Sequence, residues 1–593
     1  MNHQTLEVTL VDYELAASLL QASVAGNDPQ TRARAAALRK LTEAEGEPPE
    51  LVVYRSAGRA LVLGSEARAL EAARALSTQL TCTVLVDTGG SRLGQSARTA
   101  QDAPPSDYDA LTHVVDGIDV VHVPLARLNG HLGEFHALVT VAGDDADICE
   151  LLSGKPGVFD LVLDLSEPPF RQAERLPPGY FAPGADAVAL RRVLDEMPAM
   201  VGEFEKPKYF RYDPGICAHG RSGITGCTRC LDACPTLAIT SVGERIEVNP
   251  NLCQGGGSCA TACPTGAIQY VYPPPAYLLG TLRAALAAYR EAGGSNACVL
   301  FYGADGAAAL SAIAPRLPHS VLPIAVEEIG AVGMETWFGA LAWGAGHVVL
   351  LAEPDTAPSM LRELRSQLSF ARPVLEAMGF SQERLQLHLH DSDAALIDAL
   401  GDLPAPSPIA AGSFAPFDEK RTNLRLAIDH LYAHAPQPRP MVSLPAGAPF
   451  GEVWLNQQSC TLCMACASQC PTRALVAGDD RPQLRFIEDN CVQCGLCARS
   501  CPENAIGPAP RYLFDADKRR VARVLYEEEP FNCIACGKPF ASRKVMERME
   551  QKLRGHWMFR DDAALRRIRM CEDCRVRDMF AHETARPGAG HGA

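Results

Sequence analysis

The fold of this chain is decided most clearly by residues 460–502, which read CTLCMACASQCPTRALVAGDDRPQLRFIEDNCVQCGLCARSCP. One spacing occurs twice: three cysteines with two residues between them, then a fourth cysteine three residues later, followed by proline. Three thiolates at such short intervals wrap one iron-sulfur cube, and the fourth comes from the other half of the repeat. The proline stops the chain from continuing as a regular helix. The spacing therefore predicts two [4Fe-4S] clusters rather than zinc or free thiols.

This crossed pattern gives each cluster a definite set of ligands. Cluster C is assigned to Cys460, Cys463, Cys466 and Cys501, and cluster D to Cys470, Cys491, Cys494 and Cys497. A short polar segment, residues 479–490, separates the two half-motifs and is expected to form a hairpin.

An earlier cassette, residues 217–263, has the same skeleton with two departures. Counting back from Cys234 and Pro235, a ligand is due at Ile224, but the nearest cysteine is Cys217. We interpret this as a lengthened loop, with a [4Fe-4S] cluster A. Its ligands are assigned to Cys217, Cys227, Cys230 and Cys263. His219 is an alternative ligand, because imidazole ligates iron in some clusters, and a non-ligand role for Cys217 stays open.

The second departure is Gly256, which stands where the middle ligand of the other half-motif is due. Site B is left with three thiols, from Cys234, Cys253 and Cys259. Three thiolates fit a [3Fe-4S] cluster, which we favour, or a [4Fe-4S] cluster whose fourth iron carries an outside ligand. An empty site, with cysteines that only pack, is the remaining alternative. The net charge of a cluster is one determinant of its potential, so site B is expected to differ from the other three.

Two further cysteine pairs lie near the carboxyl end. Cys533, Cys536, Cys571 and Cys574 supply four thiols as two knuckles, the ligand set of a structural zinc site. The segment between the two cysteine pairs includes residues 542–555, SRKVMERMEQKLRG, which are predicted to form a helix. Zinc is favoured here over a further iron-sulfur centre. Cys82, Cys149 and Cys298 lie in or beside apolar runs, where a lone cysteine is usually a small core residue.

Composition limits the class of protein. The chain has 593 residues, 22 cysteines and a net charge of −15, with 70 acidic against 55 basic residues. An acidic chain is not expected to bind nucleic acid, and cysteines at metal-ligand spacings favour a reducing compartment. With neither a signal peptide nor a bilayer-length apolar run visible, we expect a cytoplasmic protein. Its oligomeric state stays open.

The pattern predicts a multidomain α/β and α+β chain. Its predicted parts are a parallel α/β domain at 1–200, a ferredoxin-like cassette at 201–275, a small doubly wound α/β domain at 276–402, a Pro-rich linker with one helix at 403–452, a second ferredoxin-like cassette at 453–510, a zinc-ribbon-like four-cysteine module at 511–580 and a disordered tail at 581–593. Strands alternating with helices predict the two α/β domains.

Several motifs carry resemblances to known families. Both cassettes resemble the dicluster ferredoxin superfamily. Residues 297–310 and 321–351 are similar to the delta-subunit domain of methyl-viologen-reducing hydrogenases, which links electron-transfer subunits and can bind a [2Fe-2S] cluster; only Cys298 stands here. The whole layout, with residues 200–210 (MVGEFEKPKYF), two cassettes and a zinc-like tail, looks like a proteobacterial class of 4Fe-4S binding proteins. That resemblance implies an association with formate dehydrogenase systems.

These observations predict an electron-transfer subunit rather than a stand-alone enzyme. It would carry single electrons through several clusters between a redox enzyme, such as a formate dehydrogenase system, and an acceptor. The alternative is an accessory or maturation factor for such an enzyme, suggested by the incompletely ligated site B. A third hypothesis is an oxidoreductase with a flavin bound within residues 51–190, although a glycine-rich fingerprint is absent there.

Overall fold

The computed structural model describes residues 10–24, 28–44, 46, 48–88, 111–479, 481–559 and 561–584. It is a multidomain mixture of α/β units and small β-rich units, as the sequence predicts. Within these ranges, no helix combines the length and the apolar character that crossing a bilayer requires.

The N-terminal α/β unit is built on a six-stranded sheet. Its strands are, in spatial order, Tyr180–Phe181, Leu161–Asp164, Arg59–Leu63, Thr81–Val86, Ile118–His122 and Thr112–Val115, and neighbours are parallel except in the last pair. Helices Glu66–Leu76 and Ala187–Glu196 cover one face. The other face packs on an antiparallel sheet of Leu125–His131, Glu134–Val141 and Asp144–Asp147, followed by helix Ile148–Ser153.

The parallel layer is smaller than the sequence predicts. Most of the apolar run at residues 136–142 lies in strand Glu134–Val141 of the antiparallel sheet. Only two residues separate this strand from the preceding one, Leu125–His131. Parallel pairing would need a crossover of a dozen residues or more. Strand Leu51–Ser56 pairs antiparallel with Gly202–Pro207, which leads directly into the first cassette.

A second sheet has four parallel strands. They are, in spatial order, Val321–Ala325, Ala297–Tyr302, Ala345–Ala352 and Leu385–Leu389. The first strand along the chain lies inside the sheet, and the order turns there, as it does in doubly wound sheets. The helices of this unit are Pro275–Glu291, Ala307–Ile313, Met334–Ala342, Pro358–Ala377 and Asp393–Gly401.

Three more helices share the core of this second sheet. Tyr13–Val24 and Pro29–Thr42 pack here rather than on the six-stranded sheet, because Leu15, Leu38 and Leu41 join its apolar cluster. Lys420–Ala433, which the sequence places in a linker, is packed in the same way through Leu424 and Leu431.

Short elements frame the two cassettes. The first contains strands Phe210–Tyr212, Gly220–Arg221, Ile224–Thr225, Ile239–Val242, Arg245–Val248 and Ile268–Tyr270, with helices Arg229–Asp232 and Ser258–Ala262. The second contains strands Met441–Ser443, Gly451–Leu455, Leu475–Ala477, Gln483–Phe486, Ile506–Leu513 and Arg523–Glu527, with helices Ala465–Ser468, Leu496–Arg499 and Ala516–Arg520. The polar segments between half-motifs are hairpins in both cassettes, pairing Ile239–Val242 with Arg245–Val248 and Leu475–Ala477 with Gln483–Phe486.

In its described residues, the C-terminal module contains one hairpin, three α-helices and a short 3-10 helix, Trp557–Phe559. The hairpin consists of strands Pro530–Asn532 and Pro539–Ser542, and the α-helices are Arg543–Leu553, Asp562–Ile568 and Glu572–Thr584. The expected disorder from residue 581 is wrong at its start, because the last helix continues to Thr584. The rest of that tail, residues 585–593, lies outside the described residues.

Candidate metal centres

Site D lies in the second cassette. Cys470, Cys491, Cys494 and Cys497 line one small cavity, which Phe486 also lines. Burial, together with the charges of Cys470 and Cys491, raises the pKa of Cys494 to about 12. The cysteine from the first half-motif is therefore close enough to the other three to interact with them.

Site C has the same crossed composition. Burial raises the pKa of Cys466 to about 12, and the charges of Cys460, Cys463 and Cys501 add to this rise. Cys463 is the exposed thiol among the cysteines of the two cassettes.

Left-handed backbone turns the cysteine loops of this cassette. Leu462 and Met464 adopt φ of 56° and 60°, and Gln493 adopts φ of 55°. Such a conformation costs a non-glycine residue roughly 1 kcal/mol. It lets the Leu462 N–H donate to the sulfur of Cys460 at 3.4 Å. Hydrogen bonds to the sulfurs are one means of setting a cluster's potential.

Site A lies in the first cassette. Cys217, Cys227, Cys230 and Cys263 line one cavity, which Tyr212, Ile246 and Ile268 also line. The residues between Cys217 and Cys227 include a small hairpin, in which Gly220–Arg221 pairs with Ile224–Thr225. The hairpin takes up the extra length of the loop, so that Cys217 reaches the other three cysteines.

His219, the alternative ligand, is fully buried beside this site. Its Nδ1 lies 2.8 Å from the carbonyl oxygen of Cys227, and its Nε2 lies 2.7 Å from the hydroxyl of Ser241. Both ring nitrogens have partners in the protein, which fastens the long loop, and His219 also lines the cavity of site A.

Site B gathers the three remaining cysteines of this cassette. Burial raises the pKa of Cys259 well above its usual range, and the charges of Cys253 and Cys234 raise it further. A nearby cation is Lys206, whose Nζ donates to the carbonyl oxygens of Cys253 and Asn251. Burial lowers the pKa of Lys206 to about 8, while the negative charge of Cys253 opposes this decrease.

The three glycines at 255–257 differ in what the backbone demands of them. Gly255 and Gly257 have φ of +79° and +71°, and a Cβ on either would lie within 2.9 Å of the Tyr209 ring or of Ala331. Gly256 is not left-handed, and its Cβ would make ordinary contacts at 3.5 Å with Met360 and Pro235. The structure therefore has room for a side chain at the position where the thiol is missing.

The donor sets fit cationic clusters. Several thiols share each small site, and their burial and mutual repulsion raise their pKa values. A metal cluster relieves this repulsion, because positive charge favours the thiolate form.

Sequence comparison agrees with this geometry. The 4Fe-4S dicluster domain matches residues 225–267 and 459–505. Both cassettes are 4Fe-4S dicluster domains. The first match begins at residue 225, so Cys217 on the long loop lies outside it.

One curated relative shares part of this chain. It is a protein of Escherichia coli (strain K12) named "Putative oxidoreductase AegA", 44% identical over 61 residues. The match spans 9% of this chain and 9% of that protein's length. This chain therefore resembles that protein over a short segment only.

Beyond the dicluster domains, the C-terminal cysteines also converge. The sulfur atoms of Cys533, Cys536, Cys571 and Cys574 all lie within 4.8 Å of one another. Those of Cys536 and Cys571 are 3.7 Å apart, close to the edge of a tetrahedron with metal–sulfur bonds of about 2.3 Å. Burial works against ionisation of Cys533, but the backbone N–H groups of Cys571, Cys536 and Ala535 lower its pKa to about 6. The group fits one tetrahedral metal ion.

The three lone cysteines, Cys82, Cys149 and Cys298, are all buried. Residues that the sequence did not single out also approach the sites. One such residue is Lys206, beside site B. A separate group is formed by Glu66, His113 and His122, in which Glu66 carboxylate oxygens lie 3.5 Å from His113 Nε2 and 3.2 Å from His122 Nε2. His113 and His122 lie diagonally opposite each other on neighbouring strands and therefore on one face of the sheet. The sequence could have revealed this group only if the register of the two strands had been known.

Proposed function

We propose that this chain is a cytoplasmic iron-sulfur protein that carries single electrons between a redox enzyme and an acceptor. The observation that carries the proposal is the convergence of cysteines into four groups within two dicluster domains. Bound clusters would take up and release one electron at a time. The chain would bury them, donate hydrogen bonds to the cysteine sulfurs and exclude water.

The proposed ligand sets are those given above. Sites A, C and D hold [4Fe-4S] clusters, and site B holds a [3Fe-4S] cluster or a [4Fe-4S] cluster with an outside ligand. The C-terminal cysteines hold zinc, which would fix the module structurally because all four ligand positions are protein thiols.

A formate dehydrogenase system is the proposed partner enzyme, on the strength of the overall layout. The unit around the four-stranded sheet is proposed to serve as a hydrogenase-delta-like docking domain. A cytoplasmic location follows from the large number of thiols at metal-ligand spacings, which a reducing compartment preserves.

Anaerobic redox titration of the full-length chain tests the electron-transfer function. Dithionite should bleach the visible absorption and generate electron paramagnetic resonance (EPR) signals of reduced clusters, and an acceptor should restore the oxidised spectrum. The proposal fails if the iron-loaded chain cannot be reduced by any low-potential donor or reoxidised by any acceptor.

Deleting the gene separates this function from that of a maturation factor, which the three-thiol site B favours. If the chain carries electrons, the partner formate dehydrogenase remains active with artificial dyes and loses only its natural coupling. If the chain matures the enzyme, the enzyme is made but is inactive with dyes as well.

A further inference from the structure

The two cassettes meet at their cysteine loops. Cys227 of site A and Cys494 of site D line the same cavity of about 410 Å³, together with Gly226 and Gln493. These two cysteines belong to different dicluster domains. They are close enough for their charges to interact.

Close packing holds the two loops together. A Cβ on Gly226 would lie 2.6 Å from Leu496 Cγ and 2.8 Å from the Ala218 carbonyl oxygen. Glycine is therefore required there for space, immediately before Cys227. Arg499 reinforces the contact, donating to the carbonyl oxygens of Thr225 and Gly226, the second at 3.1 Å.

Helix Lys420–Ala433 joins the cassettes from the other side. The Arg421 guanidinium donates to the carbonyl oxygen of Pro264 at 3.1 Å and to that of Cys491 at 3.2 Å. Pro264 directly follows a site A cysteine, and Cys491 belongs to site D. Lys420 adds bonds to the carbonyl oxygens of Thr261 and Cys263. One helix end thus fixes sites A and D relative to each other.

Within each cassette, the paired sites are also adjacent. Cys230 of site A shares one apolar cluster with Cys259 of site B, and Cys460 of site C shares another with Cys491 of site D. The spatial order of the four sites is therefore B, A, D, C.

The two ends of this series have different surroundings. Site B lies beside Lys206, whose ammonium group stacks on Tyr54 in the core of the six-stranded sheet. Among its other neighbours, Tyr209 packs with Cys253 and Ala331, and Met360 of the second sheet's unit lies near Gly256. At site C, the C-terminal module binds the cysteine loop through Ser542, whose hydroxyl donates to the Thr461 carbonyl oxygen at 2.7 Å.

We propose that the two dicluster domains form one continuous relay in the order B–A–D–C, with the loops of Cys227 and Cys494 as its junction. This inference rests on the proposed electron-transfer function. A one-electron reductant supplies one end, each transfer oxidises one site as it reduces the next, and a one-electron acceptor takes the electron at the other end. No bond forms or breaks, and no proton is transferred.

The test isolates the two sites at the junction. In full-length chain carrying Cys253→Ala, Cys259→Ala, Cys460→Ala and Cys466→Ala, iron should remain at sites A and D. After dithionite reduction, EPR should show signals broadened by spin–spin coupling between the two clusters. If both clusters are fully reduced and their signals show no coupling, the relay is overturned. An absence of cluster signals from the unmutated chain would instead refute the proposed function.

A milder variant keeps the test valid if the multiple variant does not fold. Arg499 is exposed, so Arg499→Glu removes its bonds across the junction without opening a core cavity. Iron content and the number of signals should be unchanged, while the coupling between cassettes is reduced. Arg499→Lys should retain more of the coupling, and Arg192→Glu, which makes the same charge change on an exposed helix position outside the cassettes, should leave it intact. Unaltered coupling in Arg499→Glu would count against the junction.

Discussion

The two dicluster domains share a skeleton but differ in regularity and in surroundings. In the second cassette the cysteine spacing is unbroken, and Cys463 reaches the surface. In the first, Cys217 comes from a hairpin-bearing loop and one position is Gly256, and the cassette contacts both α/β units. The sites of the second cassette can therefore be read from its spacing alone, whereas those of the first become recognisable only when the folded loop at Cys217 is seen.

The largest expected effect separates the two candidate ligands of the long loop. Cys217→Ser should remove the cluster at site A and, with it, about a quarter of the protein's iron. His219→Gln should leave the iron content unchanged, because both imidazole nitrogens already bond to protein atoms. Iron and sulfide quantitation of the two purified variants checks this. Equal iron loss from both would mean that His219 is needed for cluster binding as well.

A smaller change tests the missing ligand of site B. Gly256→Cys should add one iron and convert a [3Fe-4S] signal of the oxidised protein into a [4Fe-4S] signal of the reduced protein. The backbone conformation and the 3.5 Å contacts at this position accommodate the new side chain.

Gly256→Ser is the matched control, since it adds a side chain of similar shape without a thiolate. Its EPR spectrum should remain that of the unmutated chain. If the unmutated protein already gives four ordinary [4Fe-4S] signals and none from a [3Fe-4S] cluster, the preferred assignment of site B is wrong.

The C-terminal module should respond without any change in iron. Cys536→Ser is expected to abolish zinc binding and to loosen helix Arg543–Leu553, because its hairpin loses the metal. Mass spectrometry under native conditions, with zinc and iron measured separately, gives the result. If the variant instead loses about as much iron as one cluster contains, the module holds an iron-sulfur centre.

The smallest effect is expected at a cysteine outside both cassettes. Cys298 is buried in the centre of the four-stranded sheet, and burial raises its pKa to about 12. Cys298→Ala should keep all metal and lower the free energy of unfolding by about 1 kcal/mol, the cost of a small cavity. Urea denaturation measures the change. Any loss of iron would show that metal binding depends on this thiol.

Much of the candidate site could be predicted from sequence, because iron-sulfur ligation is largely local. The spacing around Cys460 and Cys491 predicts the second dicluster domain, and the gap at Gly256 identifies the irregular site. The roles of His219 and Lys206 could not be predicted, since they depend on the partners at Ser241 and Asn251 that folding brings near.

Two dicluster domains and a four-cysteine module can be predicted from the sequence alone, since the cysteines of each stand at short intervals along the chain. The fold was needed to show that helix Lys420–Ala433 bonds to both cassettes instead of lying in a linker, and that sites A and D are neighbours. Those features depend on contacts between distant residues, such as Arg499 and Gly226, which are 273 positions apart. No local spacing encodes such a contact, because it arises from the packing of whole units against one another.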